Sequence, residues 1–597
     1  MPTPTQQAAA PATDQGSMAA VGLAGVAMLL LACLGLGSVF WFASYEQALA
    51  LGRLTFNDEG FYRPHLALSP AGYSGLRTLL AAGTVTGMLA TAWLSYTARP
   101  FAPLRAEARR ARARMARWWS RLPAAARLVA AGLLLLLGIV RTWYLLYYPL
   151  GTDEIASYDY FVHEGLLATT SYYPIPNNHI FFNLLACPLA AAGLSPRLVM
   201  RLPTLVLGTV GSGITYALLA RLIGLQRATL VTGLVGLAPV WVYYAAVGRG
   251  YFLQICLLQI GFFAVVELLR PSSAYRQLSW GAFVVSSILG FYTIPTYAYP
   301  FIGLALGLGG GLLRQSRWPD LRVLLVAGTL IFAVVLLLYA PVVAVTGWPS
   351  LVANRYVAAK TAAQFWPPFR AVLYETAAAL FGPSLRISGP AWLAGALLGA
   401  VAVRRWVATG PRQLLGLLSW AMLAVPIPLM ALQRVYAPLR TILYLTFFGY
   451  LLVALLVGTR QQLRWLPKPL RWPLVAGLIV AVGSYRISQH QTQVRASRYE
   501  TQQLEQAYQW LVRQPDSSAR PPRVWLNSPL HELFFAHYAL QQPLPRLQLF
   551  SGTNQGPHGF YDFVVTDNYY AQTARALNPR YHSVYHDYLV TIYAVRP

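Results

Sequence analysis

The sequence predicts a mainly α, polytopic membrane protein: a bundle of about thirteen transmembrane helices with a small α/β domain at the C-terminal end. Three observations lead there. Hydrophobic residues make up 56% of the 597 positions and charged residues 11%, whereas a soluble chain carries about 25% charged residues. Apolar runs of about 20 residues, enough for one bilayer crossing, recur along the chain. The Arg and Lys residues sit in short stretches between those runs. The net charge of +27 therefore follows the positive-inside pattern of a membrane protein, and nucleic acid is excluded as a partner.

The elements follow in order. The N-terminal stretch MPTPTQQAAAPATDQGS has no Lys or Arg, and the apolar run after it is too long for a signal-peptide core, so it reads as a first span. Spans are expected near 18–44, 75–97, 126–148, 201–221, 228–247, 251–269, 278–297, 299–313, 322–346, 389–404, 414–432, 441–458 and 471–487. Residues 98–127 hold Arg99, Arg105, Arg109, Arg110, Arg112, Arg114, Arg117, Arg121 and Arg127 against the single acid Glu107, which makes this loop cytoplasmic and compatible with a surface-lying amphipathic helix. The smaller basic loops 221–227, 270–276, 314–322, 404–412 and 460–471 fall on the same side. That holds if 177–194, NNHIFFNLLACPLAAAGL, is a short helix at the outer face or a re-entrant piece and not a full span. Loops 149–176, 243–251, 347–388 and 433–440 then face outward, as does the tail. From about 488 the tail carries polar helix patterns and the strand-like runs RVWLNS, RLQLFS, DFVVTD and YLVTIYAV. The expected domains are 1–125, 126–487 and an extracytoplasmic 488–597. Cys33, Cys187 and Cys256 lie in apolar stretches and form no disulfide or zinc framework.

One stretch breaks the scarcity of acids. Asp153, Glu154, Asp159 and Glu164 fall within twelve residues, where an even spread of the chain's 19 acids would place roughly 0.4. Asp159 and Glu164 read as solvated loop acids. Asp153 and Glu154 follow a span by a few residues, at the water–membrane boundary, where a carboxylate needs a reason to be.

The order of this DE pair, then NNHIFFNLL, RLPTLVLGTVGSGITYALLARLIG and WVYYAAVGRGYFLQI, resembles the GT-C membrane glycosyltransferases. The closest branch is the one holding the protein O-mannosyltransferases, the lipid A aminoarabinose transferases and the bacterial Rgt-type sugar transferases (glycosyltransferase family 39-like). The resemblance is clearest over 126–300 and weaker to about 460. Many relatives carry a His/Lys-Pro-Pro-Leu-Tyr stretch where this chain has residues 178–182, without the two prolines, and the spans at 18–44 and 75–97 precede the matching region.

The resemblance implies an inverting transfer of a sugar from a polyprenyl-phosphate donor to a glycan, lipid or protein acceptor hydroxyl, at the outer face of the inner membrane. Asp153 matches the family's catalytic aspartate and is the general-base candidate, and Glu154 beside it is the second catalytic candidate, for binding the sugar or a metal. The donor phosphate needs cations, and Arg249, Arg434 and Arg440 stand at predicted outer helix ends, with Lys360 in an outer loop. Each of these arginines could instead meet lipid phosphates, and Lys360 reads as a loop charge. Asn178, His179, Tyr251 and Tyr436 complete the expected substrate-binding set, and His179 reads equally as a helix-end histidine. A divalent metal, were one used, would take Asp153, Glu154 and His179; no other cofactor is called for. Tyr172, Tyr173, Tyr292 and Tyr297 read as sugar-stacking or membrane-interface residues. HELFFAH (531–537) has its histidines six apart, on different helix faces, and reads as an ordinary tail helix, not a zinc site. The rival functions are a lipid-linked sugar flippase, which would place charges inside the spans, and a glycan polymerase or ligase, whose large outer loop would carry the key residues.

Overall fold

The computed structural model describes residues 12–54, 56–57, 61–62, 66–97, 101–352, 358–382, 385–407, 409–457, 471–514, 520–542, 547–551, 560–570, 577 and 579–595. Among the described residues, nine of the expected spans are helices long and apolar enough to cross a membrane: Gln15–Phe42, Pro70–Thr97, Ala124–Tyr147, Pro196–Ile223, Gly250–Leu268, Pro295–Arg314, Trp318–Val345, Arg386–Trp406 and Pro411–Gln433. The chain is an integral membrane protein.

The other four expected spans are helical but do not meet that standard, so a count of thirteen is not supported. The run 228–247 divides into Leu225–Gly236 and Pro239–Tyr244, because Pro239 lacks the N–H that would continue the ladder and starts a new helix at its first position. Arg276–Thr293 has 18 residues and Tyr444–Val457 has 14. The expected last span is the first part of one 42-residue helix, Arg471–Val512, about 63 Å long at 1.5 Å per residue, which runs on across the expected domain boundary. Segment 177–194 contains a 12-residue helix, Ile180–Ala191, too short to span.

Among the spanning helices, specific polar contacts supplement packing. Arg141, buried in Ala124–Tyr147, donates to the Gly208 carbonyl at 2.8 Å and to Ser212 at 3.0 Å on Pro196–Ile223. Thr215 donates to Gln259 at 2.8 Å. In hydrocarbon such bonds have no water to compete with, so they fix which helix faces meet. The two additional N-terminal helices pack on each other and on Trp318–Val345. The basic loop forms the amphipathic helix Phe101–Ser120, and its Glu107 carboxylate accepts the Leu278 N–H at 2.8 Å, satisfying an orphan donor at the start of Arg276–Thr293. Arg99, loop residues 460–470 and Pro597 lie outside the described residues.

The tail builds a five-stranded mixed sheet in the order Gln548–Ser551, Arg523–Leu526, Phe563–Asp567, Val590–Val595, Tyr581–His586. The first three are mutually parallel and the last two join antiparallel. All four expected strands are present. Tyr581–His586 is additional. The helix Pro529–Leu540 buries Leu533, Phe534 and Phe535, and packs both on the sheet and on the acid segment of the membrane part.

Candidate active site

The acid segment starts where the Ala124–Tyr147 helix ends. Gly151 caps a short helix, Thr152–Ser157, and its N–H donates to Glu154 Oε2 at 3.1 Å. Asp153 and Glu154 thus occupy a first turn, where the helix dipole favours negative charge. A π turn, Tyr158–Val162, follows, and Gly165 (φ 89°) opens the next helix, Gly165–Ser171.

Glu154 points inward and is fully buried. Its two oxygens meet Arg201, likewise buried, in a forked contact: Nε to Oε1 at 2.7 Å and Nη2 to Oε2 at 2.5 Å. Oε1 also accepts the Gly248 N–H at 2.7 Å. Arg201 uses its remaining donors on the carbonyls of Leu145 (3.0 Å), Tyr148 (2.8 Å) and Pro149 (2.7 Å), groups that the end of the preceding helix leaves unpaired. The 247–250 turn approaches this cluster closely. A Cβ on Gly248 would lie 2.6 Å from the Met200 carbonyl oxygen, and one on Gly250 would lie 2.9 Å from the His179 Cβ.

Asp153, the neighbouring residue, is turned outward, with its side chain 44% exposed. Two arginines converge on it. Arg440 Nη1 lies 3.1 Å from Asp153 Oδ2, and Arg249 Nη2 lies 3.8 Å from the same oxygen. Arg249 is buried and held from behind: its Nη1 donates to the carbonyls of Asp153 (2.9 Å) and Asn177 (3.2 Å) and to the Ser157 hydroxyl. Asp153, Glu154, Arg249 and Arg440 line one cavity of about 440 Å³, closed on its other side by residues of the tail.

His179 and Tyr251 form a layer beneath the arginines. The His179 Nδ1 accepts the Gly250 N–H at 2.9 Å, and its ring meets Tyr251 edge-on at 4.6 Å. Burial, together with the charges of Arg249 and Arg440, holds the imidazole neutral, well below its ordinary pKa. Its Nε2 lies 3.4 Å from Arg249 Nη2.

Several expectations need correcting. Asn178 is buried, with its amide N–H groups spent on the Thr169 and Tyr172 carbonyls (both 2.9 Å) and its oxygen on Asn183 (2.9 Å), so it shapes the 169–183 loop and does not face a substrate. Arg434 is exposed, in a left-handed C-cap (φ 53°) apart from the cavity lining, and Tyr436 stacks on Phe365 at 4.8 Å and donates to its carbonyl. Lys360 lies over the Tyr436 ring, 5.5 Å from its centre. Tyr172, Tyr173, Tyr292 and Tyr297 are buried within the protein. Asp159 is not solvated: it bonds to Nδ1 of His537, in the tail, at 2.8 Å. Burial pushes its carboxyl pKa up, and His537 pulls the other way. Glu164 is exposed, as expected.

Asp153, Glu154 and His179, the set a divalent metal would take if one were used, are engaged elsewhere. Glu154 is committed to Arg201 and His179 Nδ1 to Gly250, while the space near Asp153 holds two guanidinium groups that repel a cation. Among the described residues no three His, Cys, Asp or Glu side chains come together as a metal site.

Arg201, Asn177 and the tail residues of the cavity escaped the sequence reading. For Arg201 a signal existed: an arginine in the second turn of an apolar span must have a partner. Replacing Glu154 by Gln leaves the Arg201 charge buried and uncompensated, which typically costs about 3–5 kcal/mol. The variant should unfold at markedly lower temperature in detergent micelles, and Glu154→Gln/Arg201→Met should be less damaged than the sum of the single changes. A Glu154→Gln protein as stable as the parent would remove the pair from its structural role.

No family model and no curated protein matches the chain. Among solved structures it is similar to ArnT from Cupriavidus metallidurans, both in a crystal structure bound to undecaprenyl phosphate and in the apo state. In each case identity is 13%, the TM-score is 0.50, and the alignment covers 79% of this chain and 98% of the ArnT chain. ArnT is a lipid A aminoarabinose transferase. At this identity the likeness speaks to architecture, and the architecture is the GT-C fold.

Proposed function

We propose that the protein is a glycosyltransferase that moves a sugar from a polyprenyl-phosphate carrier to an acceptor hydroxyl at the outer membrane face. The observation that carries this reading is the convergence of Arg249 and Arg440 on the half-exposed Asp153 inside a cavity at the end of the spans. The ArnT complex with undecaprenyl phosphate supports a lipid-linked phosphate as the donor's leaving group.

In this mechanism the acceptor O–H gives its proton to a carboxylate oxygen of Asp153 as the oxygen attacks the anomeric carbon. The bond from that carbon to the phosphate oxygen breaks, and the polyprenyl phosphate leaves with the electron pair. A single displacement of this kind inverts the anomeric configuration. The growing phosphate charge is met by guanidinium groups already in place, a contribution typically worth about 2.7–4 kcal/mol per contact. Glu154 touches no reactant in this scheme; it holds the helix that aims Asp153.

Asp153→Asn keeps size and polarity but removes the base. In liposomes supplied with a polyprenyl-phosphate sugar it should lower turnover by about 10²–10⁴-fold with little effect on donor binding. Unchanged turnover at both limiting and saturating donor would refute the base assignment.

Arg249→Ala and Arg440→Ala should each weaken transfer while the protein still inserts, with Lys rescuing only in part because it lacks the planar fork. Arg434→Ala, away from the cavity, should retain activity. Full activity in both the Arg249 and Arg440 variants would take the phosphate out of their hands.

The arginine-rich 98–127 stretch supports a cytoplasmic loop and an outward C-terminus. A reporter active only outside the cytoplasm, fused after Pro597, should be active. Activity of a cytoplasm-only reporter at that position would invert the arrangement.

A further inference from the structure

The tail closes the cavity with a polar group that the transfer chemistry above does not use. His531 and Asp567 both line it, His531 Nε2 lying 3.5 Å from Asp567 Oδ2. Both side chains are over nine-tenths buried. Asp567 Oδ1 accepts the Tyr569 N–H at 2.9 Å. Among the described residues, His531 Nδ1 and the neighbouring Asn527 Nδ2 have no hydrogen-bond partner although buried. Buried polar atoms are normally paired, so His531, which lines the cavity, has hydrogen-bonding capacity that the described residues leave unused.

A second observation is independent of the first. His531 and His537 lie on the same helix, Pro529–Leu540, six residues apart, about 240° around its axis. His537 spends its face on Asp159, at 2.8 Å, six residues beyond Asp153. The helix is thus fastened to the acid segment by one face and presents the other to the cavity.

We propose that His531 and Asp567 form a subsite for the hydroxyl groups of a sugar ring, so that the tail is part of the substrate site. The inference rests on the transfer reading above for its ligand class. Burial lowers the His531 pKa, and a neutral imidazole has one N–H and one acceptor nitrogen to offer a sugar O–H. The Asp567 carboxylate accepts a second. The space of about 440 Å³ is within the usual range for a small-ligand pocket. The ring could belong to the donor or to a glycan acceptor; the chemistry is the same.

The test uses the full-length chain in detergent micelles, with methyl glycosides of common hexoses and pentoses as probes, read by saturation-transfer NMR. At least one should bind. Asp567→Asn, which keeps shape, and His531→Ala should each weaken that binding by about tenfold or more, while undecaprenyl phosphate binding and the thermal midpoint stay at parental values. If His531→Ala lowers the midpoint, Asp567→Asn decides. Saturation with a polyprenyl-phosphate sugar should displace the glycoside if the subsite holds the donor ring, and leave it bound if it holds the acceptor. Absence of glycoside binding in the parent, or parental binding in the stable variants, overturns the subsite. Loss of undecaprenyl phosphate binding in the parent would instead overturn the transfer reading, since that contact belongs to Arg249 and Arg440.

Discussion

The buried Glu154–Arg201 pair is the interaction on which the site depends. Removing two charges from water is expensive, and their attraction offsets that cost only when every remaining donor and acceptor is used. Here they are: all of the Arg201 N–H groups are taken, by Glu154 and three carbonyls, and Glu154 adds the Gly151 and Gly248 amides. The result ties the end of one span, the start of another, the acid helix and the 247–250 turn to a single point. Successive helix residues point about 100° apart. Fixing Glu154 inward therefore sends Asp153 outward into the cavity, and a loop that would otherwise be free to rotate has one orientation.

The three arginines around this point are electrostatically distinct. Arg201 is neutralised by Glu154. Arg249 is held mainly by uncharged oxygens, two carbonyls and a hydroxyl, so its charge is positioned without being cancelled. Arg440 is more exposed and meets Asp153 from the far side. Two carboxylates against three guanidiniums leave one net positive charge. Neutral His179 beneath them adds none. Such a balance suits an anion that shares the arginines with Asp153, and opposes a metal cation.

Much of the architecture was legible in the sequence, because a bilayer demands long apolar helices and imposes a charge asymmetry on their connections. Nine spans among the described residues, and the place of the acid cluster just after one of them, followed from that alone. What hydropathy cannot register is a break inside an apolar run, as at Pro239, where the proline was visible but the pattern continued through it. Nor does it register contacts over long sequence separation. Asp159 looked like a solvated acid because its partner, His537, is 378 residues away. Asn178 and Arg434 lay at the right sequence positions for a site, but which way a loop side chain turns is set by packing partners on other elements. Tyr581–His586 was missed because its His and Ser residues dilute the alternation that marks a strand.

The histidine helix of the tail shows how these limits and the chemistry meet. Its spacing excluded a zinc site for a geometric reason, since two imidazoles on different faces cannot share one ion. That same geometry lets one helix do two unlike things, gripping the acid segment with His537 and bordering the cavity with His531. In the transfer proposed above, water at the membrane surface would compete with the acceptor hydroxyl for the anomeric carbon. Leu530 and Phe534 stand beside His531 in the tail wall of the cavity, and apolar neighbours of this kind strengthen charge–charge contacts by lowering the local dielectric. The bundle alone provides the carboxylate and the arginines. The tail wall borders the same cavity from the other side and leaves Asp153 and Arg440 partly open to water.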